Sequence, residues 1–154
     1  MRKKRSVEEM IETLKTDPGF NSHVTNWHTV DARPAKFADI PASVPRDLVR
    51  VLNERGIDKL YTHQAEAIKQ TARGHSTVVV TPTASGKTLC YNLPVLSKMI
   101  EKPTARALYL YPTKALAQDQ NTDLMSMVEA LEGDLRCFTY DGDKAPAART
   151  KVRD

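Results

Sequence analysis

Cysteine is nearly missing from this chain. Cys90 and Cys137 stand alone in apolar stretches, which excludes a disulfide framework and a cysteine-built metal cluster and suits free thiols in a reducing compartment. Aromatic residues make up only 6%, with a single Trp. No apolar run approaches the roughly 20 residues of a membrane span. The basic start Met1-Arg2-Lys3-Lys4-Arg5 lacks the apolar segment that would make it a secretory signal. The expected location is therefore cytoplasmic, with no membrane partner. Neither sign of charge dominates, since 23 Lys and Arg face 19 Asp and Glu for a net +4. That excess is compatible with a polyanionic partner without requiring one.

What is present suits a soluble globular fold: 40% hydrophobic and 27% charged residues over 154 positions, the size of one domain. Ser6-Val7-Glu8-Glu9 has capping-box spacing, and Met10, Ile11 and Leu14 give the following helix an apolar face that ends near Asp17-Pro18-Gly19. Phe20 to about Ile40 shows no lasting period and reads as an extended arm laid over the domain. Trp27 either anchors that arm or stacks on a ligand. Pro45 opens a second helix that stops at Gly56, and Thr62 can cap a third, closed by Gly74. Residues 1–42 are thus expected to form an N-terminal helix and arm, and residues 43–154 the main domain.

Three short apolar runs follow, Thr77–Val80, Ala105–Tyr111 and Leu135–Tyr140. Each reads as a strand covered on both faces, which is the mark of a parallel sheet. Helices are expected between them, one beginning at Gly86-Lys87-Thr88 with a bend at Pro94, the other from Ala115 to about Leu131. Asp141-Gly142-Asp143 reads as a turn, and Ala145 to Arg153 as the opening of another helix. The order predicts an α/β fold, a three-layer P-loop domain with a mostly parallel sheet. Three strands are few for that class, so the expected domain is incomplete.

The turn between the first strand and its helix carries chemistry. A triphosphate needs converging backbone N–H groups, a lysine on its terminal oxygens and a hydroxyl on Mg²⁺. Thr83, Ala84, Ser85 and Gly86 supply the loop, Lys87 the β/γ-phosphate contact, and Thr88 the metal ligand at the first turn of the helix. Glycine at 86 lets the backbone approach phosphate closely. Thr81 stands where the strict pattern has glycine. The expected cofactors are ATP and Mg²⁺.

The segment TPTASGKT (81–88) resembles motif I of superfamily 2 helicases, with Thr81 in place of alanine and Ala84 in place of the first glycine. Pro112-Thr113-Lys114-Ala115-Leu116-Ala117-Gln118 resembles motif Ia, and Leu60-Tyr61-Thr62-His63-Gln64 resembles the adenine-reading Q motif. The combined wording is similar to the DEAD/DEAH-box-like repair helicases that resemble RecQ and carry a C-terminal cysteine-rich metal-binding region. A RecA-like fold, ATP-dependent 3′→5′ unwinding and a DNA partner, single-stranded or with a single-stranded tail, are what this resemblance implies; RNA is not excluded. In such a motor ATP draws two domains together across the strand.

The residues carry their own reading beside it. Gln64 can accept from an adenine amino group and donate to N7, and Tyr61 can stack on the base; otherwise they are a polar helix residue and a core filler. Pro112, Thr113, Lys114 and the helix start behind them form a second anion site suited to a nucleic-acid phosphate, unless this is simply a capped, solvated helix end. Gln118 either reaches the backbone or lies on a solvated face. The resemblance implies that Gly142 falls where these helicases have a nucleic-acid-facing turn.

Missing too is an acidic pair after an apolar strand, which phosphoryl transfer needs to hold Mg²⁺ and orient water. Residues 1–154 alone are thus expected to bind nucleotide without unwinding duplexes, as part of a longer enzyme. A P-loop kinase or switch would want the stricter glycine pattern. A nucleic-acid-binding module that ignores ATP would rest on Lys114 and the basic tail. No protein partner is identifiable.

Overall fold

The computed structural model describes residues 5–32 and 34–140. The basic tail at 1–4, the turn containing Gly142 and the helix expected at 145–153 lie outside the described residues.

The chain divides into two units, Met1–Pro34 and Ala35–Asp154. In the first, α1 (Val7–Thr16) opens with the expected reciprocal cap. Ser6 Oγ accepts from the Glu9 amide at 3.2 Å, and Glu9 Oε2 accepts from the Ser6 amide at 3.1 Å. Asp17 ends α1 and caps the short helix α2 (Pro18–Asn21) that follows, its Oδ1 accepting from the Gly19 and Phe20 amides. Trp27 folds back onto this turn, with its ring 6.2 Å from Phe20 and Nε1 donating to Asn21 Oδ1 at 3.1 Å.

The second unit holds the core. Helices α3 (Arg46–Glu54), α4 (Thr62–Ala72), α5 (Thr88–Glu101) and α6 (Lys114–Ala130) each turn an apolar stripe inward. Leu48, Val51 and Leu52 on α3, Ala65 and Ile68 on α4, Leu93 and Leu96 on α5, and Leu124, Met127 and Val128 on α6 are buried. Their spacing of three and four is that of one helical face. Most of these residues join a single cluster with Val44 and Leu60. The α4 helix ends at Gly74, whose φ of +82° lets the His75 amide turn back to Gln70 O at 3.1 Å. The α5 helix continues through Pro94.

The sheet departs from expectation. Among the described residues it consists of two strands, β1 (Phe37–Ala38) and β2 (Leu60–Tyr61), paired antiparallel with Phe37 opposite Tyr61. The domain is largely helical, and the mostly parallel RecA-like sheet is not formed. Segments 77–80, 105–111 and 135–140 are not strands. The physical reason lies in their second face: Val78 and Val80 are each 88% exposed, and Leu108 and Leu110 are 82% and 83% exposed. The half-buried residues alternate with exposed ones, among them Val79, Tyr109, Tyr111, Leu135, Cys137 and Thr139. An apolar run was read as covered on both sides, but only one side is covered.

No helix of the described residues is long and apolar enough to cross a membrane. Cys90 and Cys137 are free, and burial pushes both thiols upward in pKa.

Leu93 has no exposed surface. Replacing it by alanine is expected to cost about 2–5 kcal/mol in denaturant unfolding. Val7→Ala on α1, a two-thirds exposed position, should stay within about 0.5 kcal/mol of the native chain; equal losses at both sites would contradict this core.

Candidate nucleotide site

The phosphate loop runs from Thr81 into the first turn of α5. Two of its residues adopt left-handed backbone, Ala84 at φ +59° and Gly86 at φ +75°, with Ser85 between them not so. Such alternation is how a backbone forms an N–H-lined concavity for anions. It also explains the glycine that the motif has where Ala84 stands: an L-residue with a Cβ is strained there. Thr83, Ala84 and Gly86 are exposed, while Ser85, Lys87 and Thr88 are half-buried.

Lys87 sits inside the loop rather than pointing away from it. Its Nζ donates to Pro82 O at 2.7 Å and Thr81 O at 3.0 Å, and lies 3.3 Å from both Thr81 Oγ1 and Ser85 Oγ. Thr81 Oγ1 and Ser85 Oγ are 2.5 Å apart. Thr81, where a strict pattern has glycine, thus contributes both its carbonyl and its hydroxyl to the lysine. A triphosphate offers the ammonium the same kind of acceptor, so the residues fit an anion of that class.

The loop is braced from the start of α4. The β1–β2 pair delivers the chain to Tyr61, the cap residue of that helix. Gln64, only 4% exposed, accepts from the Tyr61 amide through Oε1 and donates to Gly86 O through Nε2, both at 2.8 Å. Each carboxamide atom retains one further bonding capacity. A Cβ added at Gly86 would stand 2.7 Å from Gln64 Nε2, so a side chain here, already disfavoured by the φ, would push the Gln64 carboxamide off Gly86 O. His63 Nε2 lies 3.0 Å from Ser85 O. A carbonyl can only accept, so that nitrogen carries the proton.

Three rings line up beside the brace. Phe37 and Tyr61 stack at 5.2 Å and 18°, and Tyr61 and His63 at 5.7 Å and 10°. Tyr61 remains 37% and Phe37 55% exposed. Phe37 and His63 were not among the residues expected from sequence. Phe37 sits in an unpatterned stretch, and only strand register brings it opposite Tyr61.

The second expected site is the start of α6. Thr113 is its cap, with Oγ1 accepting from the Leu116 amide at 3.2 Å. Pro112, Thr113, Lys114 and Gln118 are all exposed. Gly142 falls outside the described residues. Gln120, which the sequence suggests as a surface residue that reaches the backbone or stiffens the loop, is half-buried, and its Oε1 accepts from Thr88 Oγ1 at 3.1 Å and from the Tyr91 hydroxyl at 2.7 Å. No group of three or more His, Cys, Asp or Glu among the described residues could hold a metal. A metal here would depend on the Thr88 hydroxyl together with oxygens from a ligand. A concavity of about 480 Å³ beside α4 and α5 has a mixed lining, with Ala67, Val79 and Pro94 on its apolar side and Thr71, His75 and Lys87 on its polar side.

Residues 61–154 match the DEAD/DEAH box helicase family. The chain belongs to that family. It is 51% identical over 151 residues to the uncharacterized ATP-dependent helicase YprA of Bacillus subtilis, covering 98% of this chain and 20% of that protein. It is 31% identical to the ATP-dependent helicase hrq1 of Schizosaccharomyces pombe, over 96% of this chain and 14% of that protein. The DUF1998 helicase MrfA bound to DNA and AMPPNP superimposes with a TM-score of 0.85 at 50% identity, over 97% of this chain and 20% of MrfA. The chain spans about a fifth or less of the length of these relatives. It is a superfamily 2 helicase domain.

Two substitutions test the brace and the strain. Gln64→Leu strands the Tyr61 amide and Gly86 O, and is expected to cost about 1–3 kcal/mol with faster hydrogen exchange at Tyr61; native-like exchange would remove the brace. Ala84→Gly relieves a left-handed alanine worth roughly 1–2 kcal/mol, less about 0.4–1 kcal/mol of added chain entropy. A small net gain in unfolding free energy is the expected outcome, and a clear loss would contradict the loop geometry.

Proposed function

We propose that residues 1–154 form the ATP-binding part of an ATP-dependent DNA helicase that unwinds with 3′→5′ polarity in DNA repair, in the cytoplasm. The observation that carries this reading is the Lys87 ammonium, ringed by loop oxygens at the head of α5, in a chain of the DEAD/DEAH box helicase family. MrfA is bound to DNA and AMPPNP, a pairing of nucleic acid and triphosphate analogue that supports both ligands here. Likeness to the ATP-dependent helicase hrq1 supports the helicase reading, and the assignment to repair rests on the resemblance of the motif wording alone.

The proposed roles rest on the loop geometry and on the resemblance of the motifs. Amides of residues 84 to 88 and Lys87 Nζ take the phosphate oxygens, the ammonium exchanging carbonyl acceptors for charged ones. Thr88 offers its hydroxyl oxygen to Mg²⁺, which when bound neutralises charge on the β- and γ-phosphates. Phe37 and Tyr61 present faces on which adenine can stack, and Gln64 has one lone pair and one N–H left for its edge. Pro112, Thr113, Lys114 and Gln118, with Gly142, take the strand's phosphates. Backbone contacts position a strand without reading it, so the choice of DNA rests on MrfA.

Titration with a fluorescent non-hydrolysable ATP analogue tests the loop. Lys87→Ala is expected to weaken binding at least about tenfold, or roughly 1.4 kcal/mol; unchanged affinity would reject the assignment. Lys114→Ala should weaken binding of a single-stranded oligonucleotide and lower the salt slope by about 0.7, leaving analogue affinity as it was.

A further inference from the structure

A threonine hydroxyl that ligates a metal gives up a lone pair, and its proton then needs an acceptor elsewhere. In this chain the acceptor is defined. Thr88 Oγ1 donates to Gln120 Oε1 at 3.1 Å, across 32 residues of sequence. The Tyr91 hydroxyl donates to the same oxygen at 2.7 Å, so both lone pairs of Gln120 Oε1 are used and its orientation is set from two sides. Tyr91 is itself held, its ring edge-on to Tyr109 at 5.8 Å. Burial first, then a hydrogen bond with Tyr91, push the Tyr111 phenol up to about 12. Tyr111 directly precedes Pro112-Thr113-Lys114. Gln120 lies on the helix that opens at Lys114, six residues in, or about 9 Å along the axis.

We propose that Gln120 is a positioning residue: it takes the Thr88 proton, turns that oxygen's lone pairs toward Mg²⁺, and is fixed by Tyr91 on the side from which the Tyr111–Lys114 segment approaches. This rests on the reading of the loop as a triphosphate site. Gln120 lies four residues before Leu124 and seven before Met127, so it extends the buried face of α6. It is half-buried and meets α5 in these two bonds.

The test compares affinity of the 154-residue chain for a fluorescent non-hydrolysable ATP analogue in Mg²⁺ and in EDTA. The ratio of the two affinities is the Mg²⁺ enhancement. Gln120→Leu is expected to lower that enhancement roughly tenfold, the range seen when a metal ligand loses its orienting partner, with affinity in EDTA close to native. Gln120→Glu, which can only accept, should keep the enhancement. Tyr91→Phe, a milder change that leaves the ring contact with Tyr109, should lower it in the same direction, and decides the matter if circular dichroism shows Gln120→Leu unfolded. An enhancement unchanged in Gln120→Leu or in Tyr91→Phe, or lost in Gln120→Glu, overturns the inference while leaving the loop assignment intact. A native chain that binds the analogue in neither buffer removes both.

Discussion

The site depends on two hydrogen bonds from the first turn of α4 into the phosphate loop. Gln64 Nε2 holds Gly86 O, and His63 Nε2 holds Ser85 O. A loop with left-handed residues at 84 and 86 carries strain at the alanine, and its own bonds converge on the Lys87 ammonium. The two carbonyl contacts hold it independently of that lysine. The brace also fixes which element answers to the nucleotide: α4 begins at the β1–β2 pair, so a change at the loop reaches the Phe37–Tyr61–His63 rings without passing through the core.

The helical part of the fold was open to reading because its signals are local. Caps, a three-to-four residue apolar spacing and a terminal glycine lie within a few positions of what they specify. Helices α1, α3, α4, α5 and α6 fall within a residue or two of the expected positions. The sheet was not readable in the same way. A run such as Thr77–Val80 states that its side chains avoid water, not which neighbours will pair with its backbone. Here one face of each run meets helices and the other does not, while the pairing that forms joins Phe37–Ala38 to Leu60–Tyr61, two segments with no strand pattern.

The same division separates the site residues. Thr83 to Thr88 could be named because a strand-like run, a turn and a helix are contiguous in sequence, and Thr113 because a cap precedes its helix. The contacts of Phe37, His63 and Gln120 could not be named, since each acts across 22 residues or more, or through strand register. Gln64 lies between these cases. Its type and place were readable, but its bonds to Tyr61 and Gly86 show a bracing duty that adenine recognition alone does not suggest.

In the proposed role Lys87 exchanges the loop's own oxygens for phosphate, and such an exchange needs supports that do not let go at the same time. Lys87 is bound to Thr81 and Pro82 carbonyls, and these bonds compete directly with a triphosphate. The bonds from His63 and Gln64 do not compete, because they act on carbonyls, which an anion has no reason to approach. Thr88 is held by a third route, through its proton rather than its oxygen lone pairs. In that role, exchange at one ammonium occurs within a frame of three contacts, two from adjacent residues at the start of α4 and one from α6. Such a frame lets the strained backbone at Ala84 persist where a loop supported by its lysine alone would lose its shape each time the lysine turned away.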